Sequence, residues 1–131
     1  MRPRGLTPGG AHHVVMNILI VDDSARMRRT IRSLLAGPTR NVFECEDGSE
    51  VLAAYETHRP DWVLMDIGLK DVDGIIATAR LKTAFPDAKV VIVTDYDDAG
   101  LRQAARDAGA SAYVLKERLF ELRGLLNTSF D

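Results

Sequence analysis

Two adjacent carboxylates, Asp22 and Asp23, directly follow the apolar run Asn17 to Val21, and a third, Asp66, directly follows Trp62 to Met65. Thr94 comes after Lys89 to Val93, and Lys116 after Ala112 to Leu115. If those runs are neighbouring parallel strands, their ends share one rim holding three carboxylates, a hydroxyl and an ammonium. Carboxylates within a few ångströms of each other repel and cannot all stay ionised cheaply without a cation between them. An all-oxygen acidic cluster selects a hard ion. Mg²⁺ suits it best, because it keeps several waters, needs only one or two direct carboxylates and is commonly completed by phosphate oxygens. A carboxylate beside Mg²⁺ can attack phosphorus to give an acyl phosphate, a transfer governed by positioning and charge neutralisation. Asp66, on the middle strand, is the expected nucleophile. Lys116 would neutralise one phosphoryl oxygen and Thr94 would donate a hydrogen bond to another. Singly these residues have ordinary readings: Asp23 or Ser24 as a helix cap, Thr94 as the start of a turn, Lys116 as a solvated charge.

The elements that must position this rim are legible in the patterning. From Asn17 onward, short β-branched apolar runs alternate with longer stretches of helical spacing, as in βαβ units building a parallel sheet. The expected strands are Asn17 to Val21, Val42 to Cys45, Trp62 to Met65, Lys89 to Val93 and Ala112 to Leu115. In the first helix Met27, Ile31, Leu34 and Leu35 recur at helical spacing, Arg26, Arg28, Arg29 and Arg32 fall on other faces, and Gly37-Pro38 stops it. The remaining helices are expected over Ser49 to Thr57, Ile75 to Thr83, Ala99 to Ala108 and Leu119 to Leu126. Crossovers between parallel strands are nearly always right-handed, which leaves few arrangements. The expectation is an α/β, flavodoxin-like (βα)5 doubly wound sheet of order 2-1-3-4-5 in a single domain, with ligands beyond the carboxyl ends of strands 1 and 3.

Composition excludes several classes. The chain has 131 residues, 46% of them hydrophobic, which suits one self-sufficient core. Lys and Arg number 17 against 19 Asp and Glu, so a net charge of -2 supplies no field for a polyanion, and direct nucleic-acid binding is not expected. One cysteine, Cys45, offers no disulfide framework. No apolar run approaches a membrane span and no signal-peptide core opens the chain, so a cytoplasmic protein without membrane contact is expected. Residues 1–15 carry prolines, glycines and the pair His12-His13 without apolar periodicity and read as a flexible leader. Residues 16–128 form the domain, and 129–131 a short tail.

The motifs Ile18-Leu19-Ile20-Val21-Asp22-Asp23-Ser24, Met65-Asp66-Ile67 leading to Asp73-Gly74, Val93-Thr94, and Tyr113-Val114-Leu115-Lys116 resemble the CheY-like receiver domain of two-component response regulators. The resemblance runs along essentially all of 17–126 and is closest in flavour to receivers of LuxR-type helix-turn-helix regulators. It implies that Asp66 is phosphorylated by a sensor histidine kinase, and that Asp22 and Asp23 hold Mg²⁺ with the backbone carbonyl of Gly68 as a further ligand. It also implies that Thr94 and Tyr113 form a switch pair, and that the face of the fourth helix, fifth strand and fifth helix changes partner or dimer affinity. Such a domain is no enzyme beyond its own phosphotransfer and dephosphorylation. Three positions depart from the family pattern. Lys70 replaces a proline, which loosens the loop after Asp66. Asp95 stands where a small residue commonly follows the threonine, with Tyr96 next to it, and both could hinder access. Glu117 replaces a cis-proline, as in the LuxR-linked class.

The chain ends soon after the fifth helix, so the output is expected either in a separate protein docked by the phosphorylated form or in a missing C-terminal DNA-binding domain. The alternative reading is a pseudo-receiver, an interaction module that works without phosphate. A nucleotide- or flavin-binding protein on the same fold would need a phosphate-cradling loop where Asp22-Asp23-Ser24 stands. A dehalogenase-type phosphatase would need an Asp where Gly68 stands.

Overall fold

The computed structural model describes residues 15–127. Five parallel strands form one sheet in the order β2-β1-β3-β4-β5: β1 Met16–Val21, β2 Arg40–Cys45, β3 Trp62–Met65, β4 Val90–Thr94 and β5 Ala112–Leu115. The connecting helices are α1 Ala25–Leu35, α2 Val51–His58, α3 Gly74–Ala84, α4 Ala99–Ala108 and α5 Glu121–Asn127. This is the expected flavodoxin-like architecture. The expected leader, Val15 apart, and the expected tail lie outside the described residues.

Strands β1, β3, β4 and β5 are largely apolar on both faces because both faces are covered, whereas the edge strand β2 exposes Asn41 and Glu44. Ile18 and Ile20 of β1 join Leu64, Val91, Val93, Ile31, Leu35, Leu122 and Leu126 in the layer beneath α1 and α5. Leu19 and Val21 point the other way, to Val63, Met65, Val90, Ile92, Leu81 and Ala105 beneath α2, α3 and α4. Burying a leucine or isoleucine side chain contributes roughly 1.5–3 kcal/mol before entropy is counted. These two layers therefore hold the sheet, leaving the rim to polar residues.

Local chemistry sets the element ends. Ser24 Oγ accepts from the Met27 amide at 3.1 Å and caps α1. Asp73 Oδ1 accepts from the Ile75 and Ile76 amides at 2.9 and 3.0 Å, so α3 starts at Gly74. α2 starts later than its apolar pattern suggests, because Gly48–Glu50 form a 3₁₀ turn closed by a capping box between Asp47 and Glu50. α5 also starts later than expected, after a 3₁₀ turn at Lys116–Arg118.

Candidate functional site

Strand register builds the site. Val21 of β1 pairs with Met65 of β3, so the next residues, Asp22 and Asp66, emerge side by side. The Asp66 amide donates to the Val21 carbonyl at 2.9 Å and the Asp22 amide to the Cys45 carbonyl at 3.1 Å, which fixes both backbones. Thr94 of β4 pairs with Leu115 of β5, so Lys116 leaves the sheet beside them. Gly74 lies so close beneath that a Cβ there would collide with the Asp66 carbonyl, and the start of α3 is thereby seated under the site.

The side chains then fill in. Asp22, 1% exposed, accepts from the Ser24 amide through Oδ1 at 2.9 Å and faces Lys116 Nζ through Oδ2 at 2.9 Å. Asp66 accepts from the Ile67 amide through Oδ1 at 2.8 Å and from Lys116 Nζ through Oδ2 at 3.1 Å. Asp23 is exposed, yet one of its carboxylate oxygens lies within 4.8 Å of oxygens from Asp22 and Asp66. The three line an open cleft of about 330 Å³ together with Ser24, Gly68, Asp95, Tyr96 and Lys116. The residues expected to meet at the rim from the first, third and fifth strands do meet.

The electrostatics follow from this packing. Burial pushes the Asp66 carboxyl above its ordinary value, and the Asp22 charge adds to that, against the opposing pull of Lys116. Burial works against the Lys116 ammonium, but its hydrogen bond to Asp22 and the charges of Asp66 and Asp22 outweigh it and hold the lysine charged. The donor set fits a hard divalent cation: three carboxylates, all oxygen, carrying more negative charge than one ammonium neutralises.

The other flank is built differently. Thr94 is fully buried, and its Oγ1 receives a long contact from the Tyr96 amide, at 3.4 Å. Tyr113 is half-buried and donates its hydroxyl to the Tyr96 carbonyl at 2.6 Å. The Arg102 guanidinium covers the Tyr113 ring at 4.5 Å and pairs with Asp97 at 3.2 Å. The Tyr96 side chain is 54% exposed and lies 3.9 Å from where a Cβ on Gly68 would stand, so it leans across the mouth of the cleft. Asp95 lines that mouth, while Lys70 and Glu117 face solvent.

Two supporting residues were not singled out by sequence reasoning as part of the site. Arg28 falls, with Arg26, Arg29 and Arg32, on faces of the first helix other than the apolar one, where a solvated side chain is the ordinary reading. Instead it is buried, donating to the Asp22 carbonyl at 2.7 Å and pairing with Glu44 at 2.7 Å, and Arg32 closes on the same Glu44 at 2.6 Å. Arg26 and Arg29 are exposed, and neither pairs with a carboxylate among the described residues. Burial alone would raise the Glu44 carboxyl, but Arg32 and Arg28 hold it below its ordinary value. The other residue is Asp47, whose capping role is legible in Asp47-Gly48-Ser49-Glu50; its reach to the loop after β3 is not.

Comparison with known proteins places this geometry. The family "Response regulator receiver domain" matches residues 18–127. The transcriptional regulatory protein DegU of Brevibacillus brevis is 35% identical over 104 residues, covering 78% of this chain and 44% of DegU. The response regulator protein VraR of Staphylococcus aureus is 33% identical over 105 residues, 79% of this chain and 50% of VraR. The chain thus spans about half the length of the curated relatives it matches. Among solved structures, a LuxR-family two-component response regulator from Aurantimonas superposes with a TM-score of 0.81 at 31% identity, covering 87% of this chain and 84% of that one. A CheY-like receiver domain protein from Methanospirillum hungatei gives 0.81 at 26% identity, over 88% of this chain and 93% of that one. On the match over 18–127, on a sheet of order 2-1-3-4-5 with the acidic triad at its switch point, the chain belongs to the response regulator receiver domain family of two-component systems.

Proposed function

We propose that residues 16–128 form a phosphoacceptor receiver that is phosphorylated on Asp66 by a sensor histidine kinase in a Mg²⁺-dependent reaction. The observation carrying this reading is the state of the Asp66 carboxylate: it is nearly buried, held at one oxygen by the Ile67 amide and at the other by Lys116, and flanked by Asp22 and Asp23 in an open cleft. An Asp66 oxygen attacks the phosphorus of a phosphohistidine. The new O–P bond forms as the P–N bond breaks, and the imidazole nitrogen leaves with the electron pair.

Asp22, Asp23, Asp66 and the Gly68 carbonyl would hold Mg²⁺, which supplies charge neutralisation for the phosphoryl oxygens when bound. Lys116 neutralises a further oxygen from the opposite side, and Thr94 donates its hydroxyl to a third. Drawing Thr94 toward the phosphoryl group pulls on the segment to Tyr96, whose carbonyl holds the Tyr113 hydroxyl. Release of that bond lets the Tyr113 ring move and alters the face made by α4, β5 and α5, where an output protein, a C-terminal DNA-binding domain or a second copy of the chain would respond. No helix among the described residues is long and apolar enough to cross a membrane.

Intact mass after incubation with acetyl phosphate tests the reading. The expected result is one added phosphoryl group that requires Mg²⁺ and is absent in Asp66→Asn. Folded protein that gains no mass in Mg²⁺ would contradict it and leave a phosphate-independent interaction module.

A further inference from the structure

Asp47 stands outside the acidic triad, in the turn between β2 and α2, yet its carboxylate is spent on the loop that follows Asp66. Oδ1 accepts from the Asp71 amide at 2.9 Å, and Oδ2 accepts from the Ser49 amide at 2.9 Å and the Val72 amide at 3.3 Å. The residue is 8% exposed. Its hydrogen bonds, the one from Ser49 foremost, hold its carboxyl far below the ordinary value, so it is ionised wherever the protein is folded near neutrality. Its own amide and that of Glu46 donate to Glu50 Oε2 at 2.8 and 3.0 Å, so the turn carrying the carboxylate is itself fixed. The next residue is Gly48, where a Cβ would collide with the Val72 carbonyl, so the two loops touch backbone to backbone.

The segment held in this way is the one that carries Gly68. Its start is set by Asp66 on β3, its end by the Gly74 amide donating to the Ile67 carbonyl at 3.0 Å, and its middle by Asp47. Lys70, in that middle, is exposed and places no restriction on φ. Without Asp47, no other side chain among the described residues is seen to accept from the Asp71 and Val72 amides.

We propose that Asp47 is a positioning residue for the metal site: through the Asp71 and Val72 amides its carboxylate holds the loop after β3 so that the Gly68 carbonyl stays beside the Asp22-Asp23-Asp66 cluster. This rests on the Mg²⁺ reading above. Asp47 does not touch the ion or the phosphoryl group; it acts through the backbone that does. An outer residue of this kind sets affinity by orienting a ligand, and its loss typically weakens binding by about 10–100-fold.

The test is Mg²⁺ titration of the whole chain followed by amide NMR shifts around Asp66, on the parent, Asp47→Ala, Asp47→Asn and Glu50→Ala. Asparagine keeps one acceptor oxygen and loses the other, so it should fall between parent and alanine, with Asp47→Ala weakening Mg²⁺ by about tenfold. Glu50→Ala loosens the turn that carries Asp47 but keeps its carboxylate, so it should lower thermal stability while weakening Mg²⁺ clearly less than Asp47→Ala does. Hydrogen exchange of the Asp71 and Val72 amides should quicken more in both Asp47 variants than in Glu50→Ala. If Asp47→Ala does not fold, Asp47→Asn decides alone. A parent that binds Mg²⁺ and Asp47 variants that bind it equally well, or a Glu50→Ala variant that weakens it as much, would overturn the proposal and leave the receiver reading standing. A folded parent that binds no Mg²⁺ would overturn both.

Discussion

The two flanks of the cleft are held in opposite ways. On the β1–β3 flank, Asp22, Arg28, Asp47 and Asp66 are buried, and each has at least two hydrogen-bond or ion-pair partners. On the β4–β5 flank, Asp98 caps α4, but the segment from Asp95 to Asp97 is tied by one hydroxyl bond from Tyr113 to the Tyr96 carbonyl, a long contact from the Tyr96 amide to Thr94 Oγ1 and an exposed ion pair between Arg102 and Asp97. Exposed pairs contribute at most about 1 kcal/mol, and a single neutral hydrogen bond about the same. The chemical flank is therefore fixed, and the flank that would report the chemistry can be released by the energy of a few new contacts.

Removing Lys116 should have the largest effect. Lys116→Ala leaves Asp22 and Asp66 without their shared cation, so phosphorylation from acetyl phosphate should drop by at least about tenfold through lost neutralisation of the transition state. The same variant should bind Mg²⁺ more tightly than the parent, since the ammonium no longer competes for the carboxylates. Weaker Mg²⁺ binding would mean that Lys116 shapes the site rather than neutralising it.

Arg28→Ala comes next. It leaves the Asp22 carbonyl and Glu44 without a buried donor, and urea unfolding should show a loss of about 1–3 kcal/mol. A loss comparable to that of an exposed surface arginine would contradict the fixed character of this flank.

Asp66→Asn should stabilise the metal-free protein. Its folded-state carboxyl lies above the ordinary value, so the ionised residue costs stability once pH exceeds that folded value, and the cost fades as pH falls back toward the unfolded value. Thermal unfolding should show the advantage of asparagine at neutral pH and its disappearance in acid. The same sign means that Mg²⁺ affinity of the parent falls as acid protonates Asp66. Smallest of all, Tyr113→Phe should cost less than about 1 kcal/mol while speeding hydrogen exchange in the segment from Asp95 to Asp98.

This contrast was only half visible in the sequence. The sheet order, the apolar strands and the rim residues could be read because each follows from local pattern: β-branched runs buried on both faces, then one polar residue at each end. The element ends were less legible. Whether Ser49 opens a helix or a 3₁₀ turn depends on how Asp47 and Glu50 share their hydrogen bonds, and the same four residues satisfy either reading. The burial of Arg28 was not legible because helical spacing records the direction of a side chain along its own helix, not the β2 strand it meets, where its partner Glu44 lies 16 residues away in sequence. The Asp47 contacts with Asp71 and Val72, and the Tyr113 contact with the Tyr96 carbonyl, join segments that only folding brings together. Long-range side-chain to backbone bonds leave no periodic trace.

Hydrogen exchange of the whole chain, compared before and after phosphorylation by acetyl phosphate in Mg²⁺, tests the contrast most directly. Changes concentrated in the segment from Thr94 to Asp98 and in Tyr113, with the loop from Ile67 to Asp73 and the Asp22 segment little altered, are the predicted result. Equal loosening of both flanks, or change confined to the β1–β3 side, would contradict it.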